Sequence, residues 1–301
     1  MEVVITDMDY EVDYFEGKTR KILVLGSGGQ VGAYLTEYLR CADVEVMEFD
    51  ITNGPDQDMT VIPNGELEAK IYMADFVYFL AFDVGGSHYL KKYQHTFNFI
   101  DNNTRLIANA FGLIEKYKKP FVFASSQMSN MSYSPYGVLK RVGELYTKSL
   151  GGLIVKFWNV YGIEKDMDKA HVITDFIRKG FETGVIDMMT DGTEAREFLY
   201  AEDCCEALET VMDEYDNLSC DDELHITTGE YTTILEIAEE IKLLFFSIGK
   251  KITVIPDEKK DSVQRDARNE PDPFIKKFWQ PKTSVPQGLK KVFDEMKKDY
   301  E

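Results

Sequence analysis

Three residues in the middle of the chain have the types and spacing needed for proton transfer. Tyr136 and Lys140 are four positions apart, so on a helix their side chains share one face. A lysine cation beside a tyrosine lowers the pKa of the phenol, and the tyrosine can then act as a general base near neutral pH. Ser126, at the end of the apolar run FVFASS, can hydrogen-bond to the same substrate oxygen. Alone, a Tyr–Lys pair of this spacing is common on helix surfaces, and only its context favours catalysis.

That context is a glycine-rich stretch near the start of the chain. The segment KILVLGSGGQVG places an apolar run before glycines, an order typical of a buried parallel strand, a tight turn and a helix N-terminus. Glycine lets a pyrophosphate approach the backbone N–H groups, and the helix N-terminus favours its negative charge. The spacing fits G-x-x-G-x-x-G at Gly26, Gly29 and Gly32, whereas G-x-G-x-x-G fails at Val31. An ordinary strand-to-helix turn is the alternative interpretation.

A second apolar run predicts which dinucleotide would bind. Residues 44–50 have the pattern of a strand that ends in Asp50, roughly 20 residues beyond the glycines, where a nucleotide-binding unit places a carboxylate on the ribose hydroxyls. An acid at this position repels a 2′-phosphate, so the sequence favours NAD over NADP. The alternative is that Asp50 is a turn residue at a strand end.

The wider pattern predicts an α/β fold: a Rossmann-type doubly wound parallel sheet with a smaller C-terminal α/β lobe. Strands alternate with helices, among them a long helix predicted over 88–117, and this alternation is typical of a parallel sheet covered on both faces. We divide the chain into an acidic leader (1–20), an NAD-binding Rossmann domain (21–160) and a mainly substrate-binding lobe (161–301). The cleft between the two lobes is the expected substrate site.

Composition excludes several classes of partner. With 34 basic and 53 acidic residues, the net charge of −19 argues against nucleic acid or an anionic membrane as a partner. No apolar run approaches the roughly 20 residues that span a bilayer, and the acidic N-terminus does not resemble a signal peptide. Four cysteines without a CxxC pair predict reduced thiols in a cytoplasmic protein. The scattered histidines predict no metal site.

Together these motifs resemble the extended short-chain dehydrogenase/reductase family, and specifically its NAD-dependent nucleotide-sugar epimerases and dehydratases. The resemblance runs from Lys21 to about Leu289. It implies a homodimer formed through the helices near 88–117 and 136–150. The cofactor-binding residues that it implies, with Tyr136 and Lys140, are Gly26, Gly28, Gly29, Gln30, Val31, Gly32, Asp50, Ile51, Asp58, Met59, Leu80, Ala81 and Phe82.

The resemblance also implies a substrate site and a mechanism. Its substrate-binding residues are Gly85, Gly86, Asn159, Lys169, Arg196 and Arg268, of which Asn159 and the two arginines resemble those that hold the nucleotide diphosphate. The glycine pair most resembles GDP-mannose 3,5-epimerase and GDP-fucose synthase, which favours a GDP-linked sugar. Tyr136, held by Lys140, would deprotonate the sugar 4-hydroxyl while the C4 hydride passes to NAD. Ser126 would hold the oxygen.

The residues after Ser126 differ from those of several subfamilies. The resemblance implies that dehydratases of this family have Thr-Asp-Glu where this chain has Ser126-Gln127-Met128. It also implies that decarboxylases have a glutamate at the position of Met128. The 3,5-epimerases carry an acid/base cysteine there, and a thioether cannot transfer protons. Lys165, Lys169 and His171 are possible substitutes. Elimination, decarboxylation and epimerisation at carbons 3 and 5 are therefore disfavoured.

Two reactions at C4 remain, and one other class of function. A 4-epimerase keeps its 4-keto intermediate bound, whereas a net C4 dehydrogenase releases it. We prefer the epimerase, although only ten positions separate Ser126 from Tyr136, and this short loop predicts an open cleft that would suit the dehydrogenase. A non-catalytic nucleotide-binding protein is the third possibility, and the complete set of Ser126, Tyr136 and Lys140 argues against it.

Overall fold

A computed structural model describes residues 19–264 and 270–301 of the protein. In these ranges the strands are β1 (Arg20–Leu25), β2 (Val44–Phe49), β3 (Phe76–Phe79), β4 (Phe121–Ser126), β5 (Leu153–Phe157), β6 (Asn159–Tyr161), β7 (Val185–Asp187), β8 (Ala195–Tyr200), β9 (Leu224–Ile226), β10 (Tyr231–Thr233) and β11 (Thr253–Ile255). The helices are α1 (Gln30–Arg40), α2 (Gly65–Met73), α3 (Ser87–Tyr93), α4 (Phe97–Tyr117), α5 (Pro135–Leu150), α6 (Val172–Glu182), α7 (Ala201–Asp213), α8 (Ile234–Ser247) and α9 (Val285–Lys297). The predictions for the leader up to residue 18 and for Arg268 lie outside the described residues.

Six of the described strands form one parallel sheet in the order β2-β1-β3-β4-β5-β9. Both faces of the sheet are covered by helices, which is why its strands are continuous apolar runs. In β1, Ile22 belongs to the same apolar cluster as Leu35 of α1. The next residue, Leu23, faces the other side and shares a cluster with Phe111 of α4. This arrangement confirms the predicted doubly wound parallel sheet.

A second apolar cluster forms the smaller lobe. It joins α6, α8 and α9 around buried residues such as Phe176, Phe245 and Phe293, next to two small sheets with the orders β10-β8-β6 and β11-β7. The chain passes between the lobes more than once, because β9 pairs with β5 and α7 packs on α1. The division at residue 160 therefore remains our proposal for cofactor and substrate regions, and the main sheet continues beyond it.

The prediction of one long helix over 88–117 was wrong. Two helices, α3 and α4, occupy this range, and they are separated at Gln94–Thr96. Thr96 caps α4, because its side chain accepts a hydrogen bond from the N–H of Phe99. The buried Gln94 side chain accepts a hydrogen bond of 2.9 Å from Ser134, the residue that caps α5. The break thus ties α3 to the start of the helix that carries Tyr136 and Lys140.

Candidate active site

The glycine turn between β1 and α1 is shaped by close packing. Gly26 has a φ of 90°, and a Cβ there would lie 2.6 Å from Ala81 Cα. A Cβ on Gly32 would lie 2.0 Å from the Gly26 carbonyl oxygen, so only glycine lets α1 pack on the turn. Gly29 precedes α1 without a side-chain cap, and the buried Ser27 hydroxyl has no hydrogen-bond partner. These free donors suit a phosphate group.

Asp50 lies directly against this turn. A Cβ on Gly28 would be 2.8 Å from Asp50 Oδ1, which accepts hydrogen bonds from the N–H and hydroxyl of Thr52 at 2.9 and 2.8 Å. Gln57 accepts the Asp50 N–H at 3.0 Å. None of the hydrogen bonds found for Asp50 in the described part of the chain involves a cation. The carboxylate therefore suits ribose hydroxyls and opposes a 2′-phosphate.

The other predicted cofactor residues lie at strand ends and in loops around the turn. Gln30 and Val31 begin α1, and Ile51 follows Asp50 with 62% of its surface exposed. Met59 is buried, and its carbonyl accepts a hydrogen bond of 2.8 Å from Asn109. Leu80 and Ala81 donate their N–H groups to the Leu25 carbonyl, at 2.9 and 2.8 Å. Asp58 is fixed by Thr60. These residues and the glycine turn are compatible with NAD.

Ser126, Tyr136 and Lys140 come together between β4 and α5. Ser126 is the last residue of β4, and it is hydrogen-bonded to Tyr136 of the first turn of α5. Lys140, one turn further along α5, donates to the carbonyl of Ala124 at 2.6 Å. Its ammonium lies 3.9 Å from the centre of the Phe82 ring, whose edge-to-face contact with Tyr136 spans 5.6 Å. The structure thus brings the three predicted catalytic side chains together, and Phe82, which follows β3, contacts two of them.

Burial moves the pKa values of Tyr136 and Lys140 in opposite directions, away from each other. It raises the pKa of Tyr136 to about 12, although the hydrogen bond with Ser126 lowers it. Burial also lowers the pKa of Lys140 to about 7, against a smaller opposing effect of Glu144. The lowering of the Tyr136 pKa by Lys140 together with a nicotinamide charge stays a prediction, and the burial of the phenolate opposes it.

A buried carboxylate behind the site was missed by the sequence interpretation. Glu144 lies one turn beyond Lys140 on α5 and is 1% exposed. It accepts hydrogen bonds of 2.6 Å from both Ser125 and Arg141. Glu144 thereby fixes β4 against α5 next to Ser126. The spacing of Glu144 from Lys140, four positions on the same helix face, was the available signal.

The site is more enclosed than the short loop predicted. Tyr136 is only 9% exposed, because Met128 and Met131 of that loop pack beside it. Val263, from a distant part of the chain, belongs to the same apolar cluster and is 4% exposed. The open cleft expected at Tyr136 is therefore not present.

A cavity of about 480 Å³ lies next to this cluster, between elements of both lobes. Its walls include Asn159, Arg196 and His171, while Val263 lines both the cavity and the Tyr136 cluster. Two of the residues predicted to bind substrate, Asn159 and Arg196, are therefore brought to one cavity. His171 was considered only as a substitute acid/base group.

Gly85 and Gly86 have a packing role in the structure. The Gly86 N–H donates to the Lys169 carbonyl at 2.9 Å, and a Cβ on Gly86 would lie 2.4 Å from the Ala170 carbonyl oxygen. A Cβ on Gly85 would lie 2.9 Å from the Tyr89 side chain. The glycine pair thus lets the loop that carries Lys169 approach α3, and its contact with substrate remains a prediction.

Three basic side chains at or near the cavity are each paired with a carboxylate. Lys169 lies 2.9 Å from Asp83. His171 Nδ1 lies 2.6 Å from Glu164, which also accepts the His171 N–H. Burial lowers the pKa of His171, but Glu164 more than offsets this effect, so the pKa lies above its ordinary value. The third pair joins Arg196 to Asp261 at 2.5 Å. Each of these three basic side chains therefore has a carboxylate partner within the protein.

Residues 19–264 and 270–301 contain no candidate metal site and no membrane-spanning helix. No group of three or more His, Cys, Asp or Glu side chains there is placed to hold a metal ion. Cys204 and Cys205 are buried in α7, Cys41 is exposed and Cys220 is partly exposed, all as free thiols. None of the helices in these ranges combines the length and apolar character needed to cross a membrane.

Comparison with known proteins gives one family. The model of the NAD dependent epimerase/dehydratase family matches residues 22–226. GDP-L-fucose synthase of Sinorhizobium fredii is 28% identical over 173 residues, which are 53% of this chain and 53% of that protein. The chain thus matches about half the length of this relative.

Two longer matches agree with that family. UDP-N-acetyl-alpha-D-glucosaminuronate decarboxylase of Bacillus cytotoxicus is 27% identical over 316 residues, covering 91% of this chain and 96% of that protein. The structure of UDP-glucose 4-epimerase of Thermotoga maritima with UDP-glucose superposes with a TM-score of 0.77 at 18% identity, covering 93% of this chain and 100% of that one. The second similarity concerns the fold alone.

Proposed function

Since the chain belongs to the NAD dependent epimerase/dehydratase family, with NAD as its cofactor, we propose that it interconverts the C4 epimers of a nucleotide-diphosphate sugar. The observation that carries this proposal is the complete, enclosed group of Ser126, Tyr136 and Lys140, followed by Gln127 and Met128 in place of acids. C4 epimerisation needs one proton acceptor and one held oxygen, and this group supplies both.

When bound, NAD supplies the oxidation and reduction at C4. Tyr136 takes the proton of the 4-hydroxyl and later returns it, and Ser126, hydrogen-bonded to Tyr136, holds the sugar oxygen in reach. Burial holds the pKa of Tyr136 at about 12, so the reaction requires a nearby positive charge. The Lys140 ammonium supplies one, and its pKa of about 7 lets it gain or lose a proton at neutral pH. Enclosure by Met128 and Met131 keeps a 4-keto intermediate from water.

The cavity is proposed to hold the nucleotide diphosphate. Asn159 and Arg196 line it, and an amide with a guanidinium is suited to the oxygens of two phosphates. Arg268 remains a proposed third contact. The base and the sugar are left to experiment, with the GDP-linked substrate as our first choice.

Elimination and decarboxylation need an acid or base that the residues after Ser126 do not supply. Met128 is buried, 3% exposed, and its thioether transfers no proton. The nearly full-length similarity to a decarboxylase makes this distinction the first to test.

A second candidate function is favoured by one observation. His171 lines the cavity, and the buried Glu164 holds it by two hydrogen bonds, one to ring Nδ1 and one from the backbone N–H. Such a pair can exchange a proton with a ring carbon next to a 4-keto group. Epimerisation at C3 or C5 would then accompany the C4 chemistry.

The experiment is incubation of the purified protein with GDP-, UDP- and dTDP-sugars, with NADH absorbance and product mass recorded together. A C4 isomer of unchanged mass without lasting NADH is expected. Lasting NADH with a sugar that has lost two hydrogens would indicate net C4 oxidation, and loss of carbon dioxide would indicate decarboxylation. Nucleotide-sugar binding without any conversion would favour the non-catalytic alternative.

A further inference from the structure

Residues 257–263, which we name the strap, are held against the cavity by the loop that follows β7. The Asp257 N–H donates to the Thr190 carbonyl at 2.9 Å, and the Asp191 N–H donates to the Lys259 carbonyl at 2.8 Å. Lys260 forms an ion pair with Asp191. These contacts fix the first half of the strap on the smaller lobe, so its second half reaches across the cavity.

Asp261 of the strap forms an ion pair with Arg196, the arginine proposed to bind the diphosphate. Its carboxylate lies 2.5 Å from Arg196 Nη2, and the two side chains are only 13% and 17% exposed. The other terminal nitrogen of Arg196 donates to the Ala195 carbonyl at 2.8 Å. A carboxylate and a phosphate bind a guanidinium through the same charge-assisted hydrogen bonds. Asp261 and a substrate phosphate would therefore compete for one group.

The same carboxylate is linked to the cover over Tyr136. Its second oxygen accepts the N–H of Val263 at 2.8 Å. Val263 is 4% exposed, lines the cavity and packs in the apolar cluster with Met128, Met131 and Tyr136. A change at the Asp261 carboxylate is thus transmitted through Val263 to the cluster that contains Tyr136.

We propose that Asp261 is an internal competitor of the substrate diphosphate. When the diphosphate binds Arg196, it displaces Asp261, and Val263 leaves the cluster around Tyr136. Binding of the nucleotide part would then uncover the catalytic tyrosine for the sugar, and a sugar without a diphosphate would not. This inference rests on the proposed function for its assignment of Arg196 to the diphosphate. The alternative role for Asp261, orienting Arg196 toward the substrate, predicts effects of opposite sign.

Binding of UDP and GDP to the NAD-loaded protein separates the two roles. In Asp261→Asn the neutral amide competes poorly for Arg196, so calorimetry should show nucleoside diphosphate affinity higher by about fivefold or more. Asp257→Asn, on the same strap but paired with the exposed Lys259, should leave the affinity unchanged. Unchanged or weaker binding in Asp261→Asn, or no binding of either diphosphate to both proteins, would overturn the proposal.

Movement of the strap can be read from the reactivity of a thiol. In a background without the exposed Cys41 and the partly exposed Cys220, Val263→Cys should react slowly with a thiol reagent. UDP or GDP should speed this reaction at least about tenfold, since reactivity follows exposure. Ser262→Cys, at an exposed position, should react rapidly with and without nucleotide. Equal rates for Val263→Cys in both conditions would contradict the displacement.

These results are independent of the reaction catalysed. Nucleoside diphosphates have no sugar at C4 of which the reaction could occur. The displacement of Asp261 can therefore be confirmed even if no C4 isomer is formed. Conversely, C4 epimerisation with no gain of nucleoside diphosphate affinity in Asp261→Asn would leave the proposed function intact and refute the competition of Asp261 with the diphosphate.

Discussion

Replacing Lys140 by methionine is expected to stabilise the protein while abolishing its activity. The Lys140 side chain is 3% exposed, and burial lowers its pKa to about 7 from an ordinary value of 10.5. The folded protein therefore resists carrying this charge. Methionine has a similar length, no charge and a flexible apolar side chain that fills such a space.

The size of the effect follows from the structure. At about pH 6 both folded and unfolded chains carry the charge, and the pKa difference corresponds to roughly 5 kcal/mol of lost stability. Two contacts oppose this loss: the hydrogen bond to Ala124 contributes about 1 kcal/mol, and the ammonium over the Phe82 ring about 2 kcal/mol. The net gain expected for Lys140→Met is about 2 kcal/mol.

The sign of the pH dependence provides a second check. Between about pH 7 and 10.5 the unfolded chain binds a proton at Lys140 that the folded chain does not, so the wild-type stability rises with pH. The loss of stability caused by the Lys140 charge is complete below about pH 7. The gain in free energy of unfolding of Lys140→Met over the wild type should therefore fall toward zero near about pH 9.

Urea unfolding of the wild type, Lys140→Met and Lys140→Arg at both pH values measures these differences. Lys140→Arg is the matched control, because a guanidinium stays charged and should destabilise the protein at either pH. A Lys140→Met protein that is less stable than the wild type near pH 6, by an amount that does not change with pH, would refute the account of Lys140.

Three further outcomes are expected. Tyr136→Phe should lower kcat by about a thousandfold and leave calorimetric binding of NAD unchanged; a loss below about tenfold would exclude Tyr136 as the base. Asp50→Ser should raise the affinity for NADPH relative to NADH by about tenfold, since it removes a repulsion, and an unchanged ratio in a fluorescence titration would remove Asp50 from cofactor selection. Leu145, 56% exposed on α5, is proposed to lie in a homodimer interface, so Leu145→Glu should sediment as a monomer. Leu243→Glu, 60% exposed on α8, is its control, and a wild type that is monomeric at micromolar concentration would contradict the dimer.

The parts of the fold that depend on neighbouring residues were predictable from the sequence. The run of Ile22 to Leu25 is apolar at every position because it is covered on both faces, and its glycine turn follows at once. Tyr136 and Lys140 share a face through helix geometry alone. These features need no knowledge of distant contacts, and the structure places them as predicted.

The features that were missed depend on residues far apart in the chain. The break after α3 is tied to the hydrogen bond between Gln94 and Ser134, 40 positions away. The enclosure of Tyr136 includes Val263. The pairing of Arg196 with Asp261 joins residues 65 positions apart. No local pattern specifies such contacts, and they decide how the site is enclosed.

The most direct test of the proposed C4 epimerisation is turnover of the nucleotide sugar in D₂O, followed by NMR of the product. C4–H is the one carbon–hydrogen bond broken in the proposed reaction, and the enclosed site shields that carbon from solvent. We therefore expect a C4 epimer in which every ring carbon keeps its original hydrogen. Deuterium at C3 or C5, or a product that has lost carbon dioxide, would contradict it.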